Sequence, residues 1–124
     1  MVYTADFSRQ GILDAIRRRH TYGATDNIIL EVRSGRYFMG DELRAARPLP
    51  IRVRARGTAA VARVDVVRDS RVIYTTAPKS REVDFEYTDR GETGQRHYYY
   101  VRLLQEDGMM AWSSPLFVNY SAKR

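Results

Sequence analysis

Chemistry, if this chain performs any, would have to come from its two histidines, its carboxylates or its serines. His20 and His97 lie 77 positions apart, and neither stands in an HxH or HExxH pattern. A zinc site gathers three or four ligands, and with zero cysteines no thiolate can replace a missing imidazole. Asp65, Asp69, Glu82, Asp84 and Glu86 contain enough carboxylates for a general acid and base. Their spacing, however, places each at a turn or on the outward side of a strand, which predicts a solvated face. Ser113 and Ser114 follow Trp112 without the GxSxG context of a nucleophile elbow. The residues thus predict no catalytic, cofactor-binding or metal-ligating set, and the chain alone is not expected to be an enzyme.

Binding chemistry has better candidates. In the run Tyr98, Tyr99, Tyr100 the pleat of a strand sends Tyr99 to one side with Val101 and Leu103, and Tyr98 and Tyr100 to the other with Arg102. Outward tyrosines beside an arginine can stack on sugar rings, bases or a partner's backbone, although packing within the sheet satisfies them equally. Arg52, Arg54 and Arg56 alternate along a second strand and form the other surface candidate. The net charge of +6 and pI of 9.9 invite a nucleic-acid reading. Arginine supplies 19 of the 21 basic residues, as the codon usage of a GC-rich genome also would. The first 62 residues hold 11 basic and 6 acidic side chains, so the excess sits in that half, at Arg17 to Arg19 and at Arg52 to Arg56. Cations in a last helical turn favour the negative end of the helix dipole, and alternating strand arginines suit a wet face. Nucleic acid is therefore not the favoured partner. No apolar run approaches the roughly 20 residues that cross a bilayer, so no membrane partner is expected. The opening MVYTADFSRQ does not read as an export signal.

The elements that must position these residues are short. Ser8 is placed to cap a helix over 9–19, with Phe7 and Ile12 spaced as a hydrophobic staple and Gly23 just past the end. Ile12, Leu13 and Ile16 make its apolar stripe. A helix of this length containing Gly11 is marginal alone and must bury that stripe. From Asp26 onward the period becomes two, predicting strands over 28–33, 36–39, 49–56, 60–68, 71–76, 81–87, 98–105 and 110–120. Ser34 with Gly35, Asp69 with Ser70, and Glu106 to Gly108 read as turns, 88–96 as a loop, and Trp112 as a core residue. About seven or eight short strands predict a mainly β fold, an antiparallel two-sheet sandwich of immunoglobulin or fibronectin III type after one N-terminal α-helix. Residues 1–25 would be helix and linker, and 26–124 the sandwich.

Three segments carry a resemblance: FSRQGILDAIRRRHTYGAT, IILEVRSGRYFMGDEL and YYYVRLLQEDGMMAWSSPLFV. In this order they resemble the C-terminal region of PHP-type proteins, the polymerase and histidinol phosphatase superfamily, in a bacterial branch of uncharacterised function. The resemblance covers nearly the whole chain and is sharpest at RRRHTYGAT, SGRYFMGDE and the EDG turn before AWSSP. It implies an upstream metal-dependent barrel whose His and Asp ligands bind divalent ions and hydrolyse phosphoesters. None of those ligand motifs stands in this sequence, so no catalytic residue carries over. The implied role is a non-catalytic accessory domain that docks on the catalytic domain of the same parent chain through Phe7, Ile12, Leu13 and Ile16. Divalent metal would belong to that parent domain only. Self-association through the helix is the other way to cover the stripe. A free-standing binding module for glycan, nucleic acid or protein, using Tyr98, Tyr100 and Arg102 or Arg52 and Arg54, is the rival reading.

Overall fold

Ser8 begins the helix in the extended conformation a cap requires, and its Oγ accepts a hydrogen bond from the Gly11 N–H at 3.0 Å. The computed structural model describes residues 8–45, 49–89 and 96–120, and within them helix α1 spans Arg9–Arg17. Phe7, the staple partner, lies outside the described residues. The helix stops two residues before the expected end because Arg19 takes φ 62°, the left-handed position. Its N–H reaches the Ile16 carbonyl at 3.0 Å and that of His20 reaches Ala15 at 2.9 Å, the paired bonds of a Schellman stop. Gly23 is not the stop.

Ten strands follow among the described residues: β1 Tyr22–Ala24, β2 Ile29–Ser34, β3 Tyr37–Phe38, β4 Glu42–Ala45, β5 Pro50–Arg68, β6 Arg71–Thr76, β7 Ser80–Thr88, β8 Arg96–Gln105, β9 Met110–Ser113 and β10 Leu116–Tyr120. Their main path of pairing is β1-β9-β8-β5-β2-β3. β6 and β7 also pair with β5, while β10 joins β8 to β4. Every pairing is antiparallel except β10 with β4. The result is a mainly β fold, one antiparallel sheet curled into a half-barrel.

Two strands expected over 49–56 and 60–68 are one. The 19 residues of β5 pair first with β2 and β7, then with β8 and β6, with an irregularity between Arg56 and Val61. There Gln105 Oε1 accepts from the Thr58 N–H at 2.9 Å and the Ala60 carbonyl accepts from Glu106, so the ladder is bridged. The opposite happens over 110–120, where Ser114 and Pro115 divide the segment into β9 and β10. Tyr22–Ala24, expected in the linker, joins the sheet through β9. The Asp69-Ser70 link is confirmed, both residues having positive φ, as a two-residue hairpin turn requires.

The concave side is filled by Leu30, Val32, Val53, Val64, Val66, Tyr99, Val101, Leu103, Leu116 and Val118. Each such side chain contributes about 1.5–3 kcal/mol on full burial. At one end of this core, the Tyr99 hydroxyl donates to Asp89 Oδ2 at 2.7 Å and meets the Tyr120 hydroxyl at 2.9 Å, while Arg68 Nη1 lies 2.7 Å from the same carboxylate. Burial, followed by these hydrogen bonds, pushes the Tyr99 hydroxyl far above the ordinary tyrosine range.

Two expectations about burial are corrected. Trp112 is 43% exposed, because Ala111 is the β9 residue paired with inward Leu103 and alternation turns Trp112 outward. Asp65, expected on a wet face, is 3% exposed beneath the guanidinium groups of Arg102 and Arg63.

Candidate functional site

The helix face is built by how α1 is held. Arg19 Nε donates to the Gly40 carbonyl at 2.8 Å, and His20 Nε2 lies 2.8 Å from Asp41 Oδ1 with its ring edge-on to Phe38. Gly40, at φ 96°, lets these backbones approach: a Cβ there would stand 2.1 Å from the Arg19 oxygen. The C-terminal end of α1 is thereby clamped to the turn between β3 and β4. Along its length the helix turns Gly11 and Ala15 inward. Ile12 is half-buried, Leu13 is 37% exposed and Ile16 is 50% exposed. Within the chain the small residues take the inner side, and Leu13 and Ile16 stay outward.

On the convex side of β8 the pleat distributes the tyrosines as their order predicts, with Tyr99 buried and Tyr98, Tyr100 and Arg102 outward. Tyr98 is committed to the β5–β6 turn: its hydroxyl meets Ser70 Oγ at 2.9 Å and its N–H donates to Asp69 Oδ1 at 3.1 Å. Arg102 donates to Asp65 Oδ2 at 2.9 and 3.2 Å, and Thr75 donates to the other oxygen of that carboxylate at 2.8 Å. Directly across from Arg102 stands Trp112, whose ring covers Gly23 of β1. Sequence reading assigned Trp112 to the core and so missed it as a member of this face. Its alternation with Ala111 was the available signal.

The arginine strand is a charge ladder. Arg52, Arg54 and Arg56 pair across to Glu86, Asp84 and Glu82 of β7, and Arg54 faces Glu31 of β2 on its other side. Arg52 donates to both Asp84 oxygens, at 3.2 and 3.0 Å. These bonds hold the Asp84 carboxyl below the usual carboxylate range. Opposed charges across a sheet stabilise by a few tenths to about 1 kcal/mol per pair. Arg52 is thus occupied within the sheet, and Arg54 stands in register between Asp84 and Glu31.

A different surface emerges where β4, β10 and β8 meet. Tyr37, Glu42, Leu43, Arg44, Arg96, Phe117 and Asn119 line a cavity of about 450 Å³. Arg19 stands over the Phe117 ring at 5.4 Å and lies 3.5 Å from Glu42. These residues come from five segments spread over the whole chain, and no local pattern announces them.

His97 is buried with Nδ1 against Asp69 Oδ2, and His20 is tied to Asp41. Both histidines hold turns in place. Among the described residues no three His, Asp or Glu side chains converge as metal ligands. No helix among them is long and apolar enough to cross a membrane.

No family model matches the chain, and neither does any solved structure. The chain is similar to an uncharacterised protein of Chlamydia pneumoniae, 30% identical over 91% of this chain and 21% of that protein. Uncharacterised proteins of Chlamydia trachomatis and Chlamydia muridarum are each 28% identical over the same shares. The chain therefore spans about a fifth of the length of the curated relatives it matches.

Proposed function

We propose that this chain is a non-catalytic accessory domain of a longer PHP-type, metal-dependent hydrolase, and that α1 docks it onto the catalytic domain of the same polypeptide. In this reading the parent is a phosphoesterase whose divalent metal sits upstream. The curled sheet is a C-terminal sandwich of immunoglobulin or fibronectin III type, with β5 running through both halves. The PHP assignment is supported by the segments around RRRHTYGAT, SGRYFMGDE and AWSSP.

The observation that carries the docking role is α1 itself, clamped at its C-terminal end while Leu13 and Ile16 face outward. A helix held at one end with apolar side chains turned outward is a ready docking edge. The greater length of the relatives supplies chain that could cover it. Covering the exposed parts of the two side chains would contribute roughly 2 kcal/mol, from the 1.5–3 kcal/mol of a fully buried Leu or Ile.

The test is calorimetric. The chain is titrated into the separately expressed upstream region of its parent, beside a Leu13→Asp, Ile16→Asp variant. Saturable one-to-one binding that the variant abolishes is expected. Equal binding by the variant, or none by either, contradicts the docking role, and a strict dimer of the isolated chain through α1 would assign the stripe to self-association.

One observation favours a second reading, a binding module acting through its convex face: Trp112 is solvent-exposed opposite Arg102, with Tyr100 on the same side. Aromatic side chains of this kind stack on sugar rings. Quenching of the Trp112 fluorescence by oligosaccharides would support that role, and an unchanged spectrum across a glycan panel would exclude it.

A further inference from the structure

The sheet carries two complementary rows on its outer face where β4, β10 and β8 lie side by side. Glu42 pairs with Phe117 and Phe117 with Tyr98, while Arg44 pairs with Asn119 and Asn119 with Arg96. The second row sets two arginines on either side of an amide. Their backbones are two inter-strand steps apart, about 10 Å, within reach of two extended guanidinium arms that close over the strand between them. Leu116, Val118 and Tyr120 point into the core, so Phe117 and Asn119 face the cavity.

Charge separates this site from the arginine surfaces that carry ion pairs. Arg52 has Asp84, Arg102 and Arg63 share Asp65, Arg33 has Glu31, and Arg19 has Glu42. Among the described residues Arg44 and Arg96 have no acidic partner, and both are exposed. Two uncompensated guanidinium groups flanking an amide donor match the oxygens of a phosphate, which arginine grips through paired N–H bonds. Phe117 and Tyr37 supply apolar wall beside them, with the Arg96 guanidinium 6.0 Å from the Phe117 ring centre. At about 450 Å³ the space lies in the range of small-molecule sites.

We propose that this cavity binds a small phosphate monoester carrying a flat ring, with Arg44, Arg96 and Asn119 on the phosphate and Phe117 and Tyr37 against the ring. This assignment does not rest on the docking role of α1, which uses a different face.

The probe is adenosine monophosphate, titrated into the whole chain at low salt and followed by amide shifts of β4, β8 and β10. Adenosine and ribose 5-phosphate run in parallel, each lacking half of the recognised chemistry. Saturable binding of the monophosphate is expected, weakened about tenfold or more by Arg44→Ala with Arg96→Ala and by added salt. The Arg52→Ala, Arg54→Ala variant removes the same charge elsewhere and is expected to bind normally. The proposal is overturned by no binding, by equal binding of ribose 5-phosphate, or by equal loss in both double variants. Unaltered shift patterns away from the three strands show that the variants remain folded.

Discussion

Replacing Gly40 by alanine tests how α1 is fixed to the sheet, and two other glycines make the test quantitative. Gly40 and Gly108 have similar φ, 96° and 88°, but different surroundings. A Cβ at Gly108 meets nothing within 4 Å, whereas at Gly40 it would lie 2.1 Å from the Arg19 oxygen and 2.5 Å from its carbonyl carbon. Left-handed backbone costs a residue with a Cβ about 1–2 kcal/mol, and Gly108→Ala should lose that much and no more. Gly35→Ala, at φ 58° with nothing within 4 Å, is a second control. At Gly40 two backbones must also separate, adding about 1–3 kcal/mol, the range for overpacked sites. Gly40→Ala should therefore lose about 2–5 kcal/mol in urea unfolding, and exchange of the α1 amides should accelerate as the contacts of Arg19 and His20 loosen. A midpoint equal to that of Gly108→Ala would refute the reasoning, because the close approach would then cost nothing.

Other outcomes follow from the same structure. The Asp84 carboxyl should titrate below the ordinary carboxylate range by carbon NMR and return to it in Arg52→Ala. Because its folded value is depressed, its stabilising contribution is present above the unfolded pKa of about 3.9 and is lost as pH falls through the folded value. Tyr99 should resist ionisation in an alkaline absorbance titration. Its folded pKa is raised, so its contribution is complete below the unfolded value of about 10 and is lost as pH climbs above it. Tyr99→Phe should cost about 1–2 kcal/mol through the lost bonds to Asp89 and Tyr120. Trp112→Ala should change the denaturation midpoint far less than Leu103→Ala, which empties a core position at about 2–5 kcal/mol.

The sequence was legible where one residue decides the local structure. Ser8 caps α1, Asp69 and Ser70 turn the chain, and the alternation around Tyr99 gives the faces of β8 correctly. It was opaque where pairing decides instead. Tyr22–Ala24 and Glu42–Ala45 are too short for a period and become strands only because β9 and β10 offer edges. The stretch around Gly57 has no alternation, yet Gln105, 47 positions from Thr58, holds β5 continuous. Trp112 looked like core by type, and only its register against β8 turns it outward. The candidate sites divide in the same way. The α1 stripe is written in one helical turn pattern, while the Arg44, Asn119 and Arg96 row exists only through the parallel pairing of β10 with β4.

Hydrogen exchange across Arg9–Arg17, compared between this chain alone and the full-length parent polypeptide, tests the accessory-domain account most directly. Docking of Leu13 and Ile16 predicts amide exchange slowed by roughly thirtyfold in the longer protein, the equivalent of about 2 kcal/mol. Equal exchange rates in the two would contradict it, leaving α1 an exposed helix with no partner in its own polypeptide.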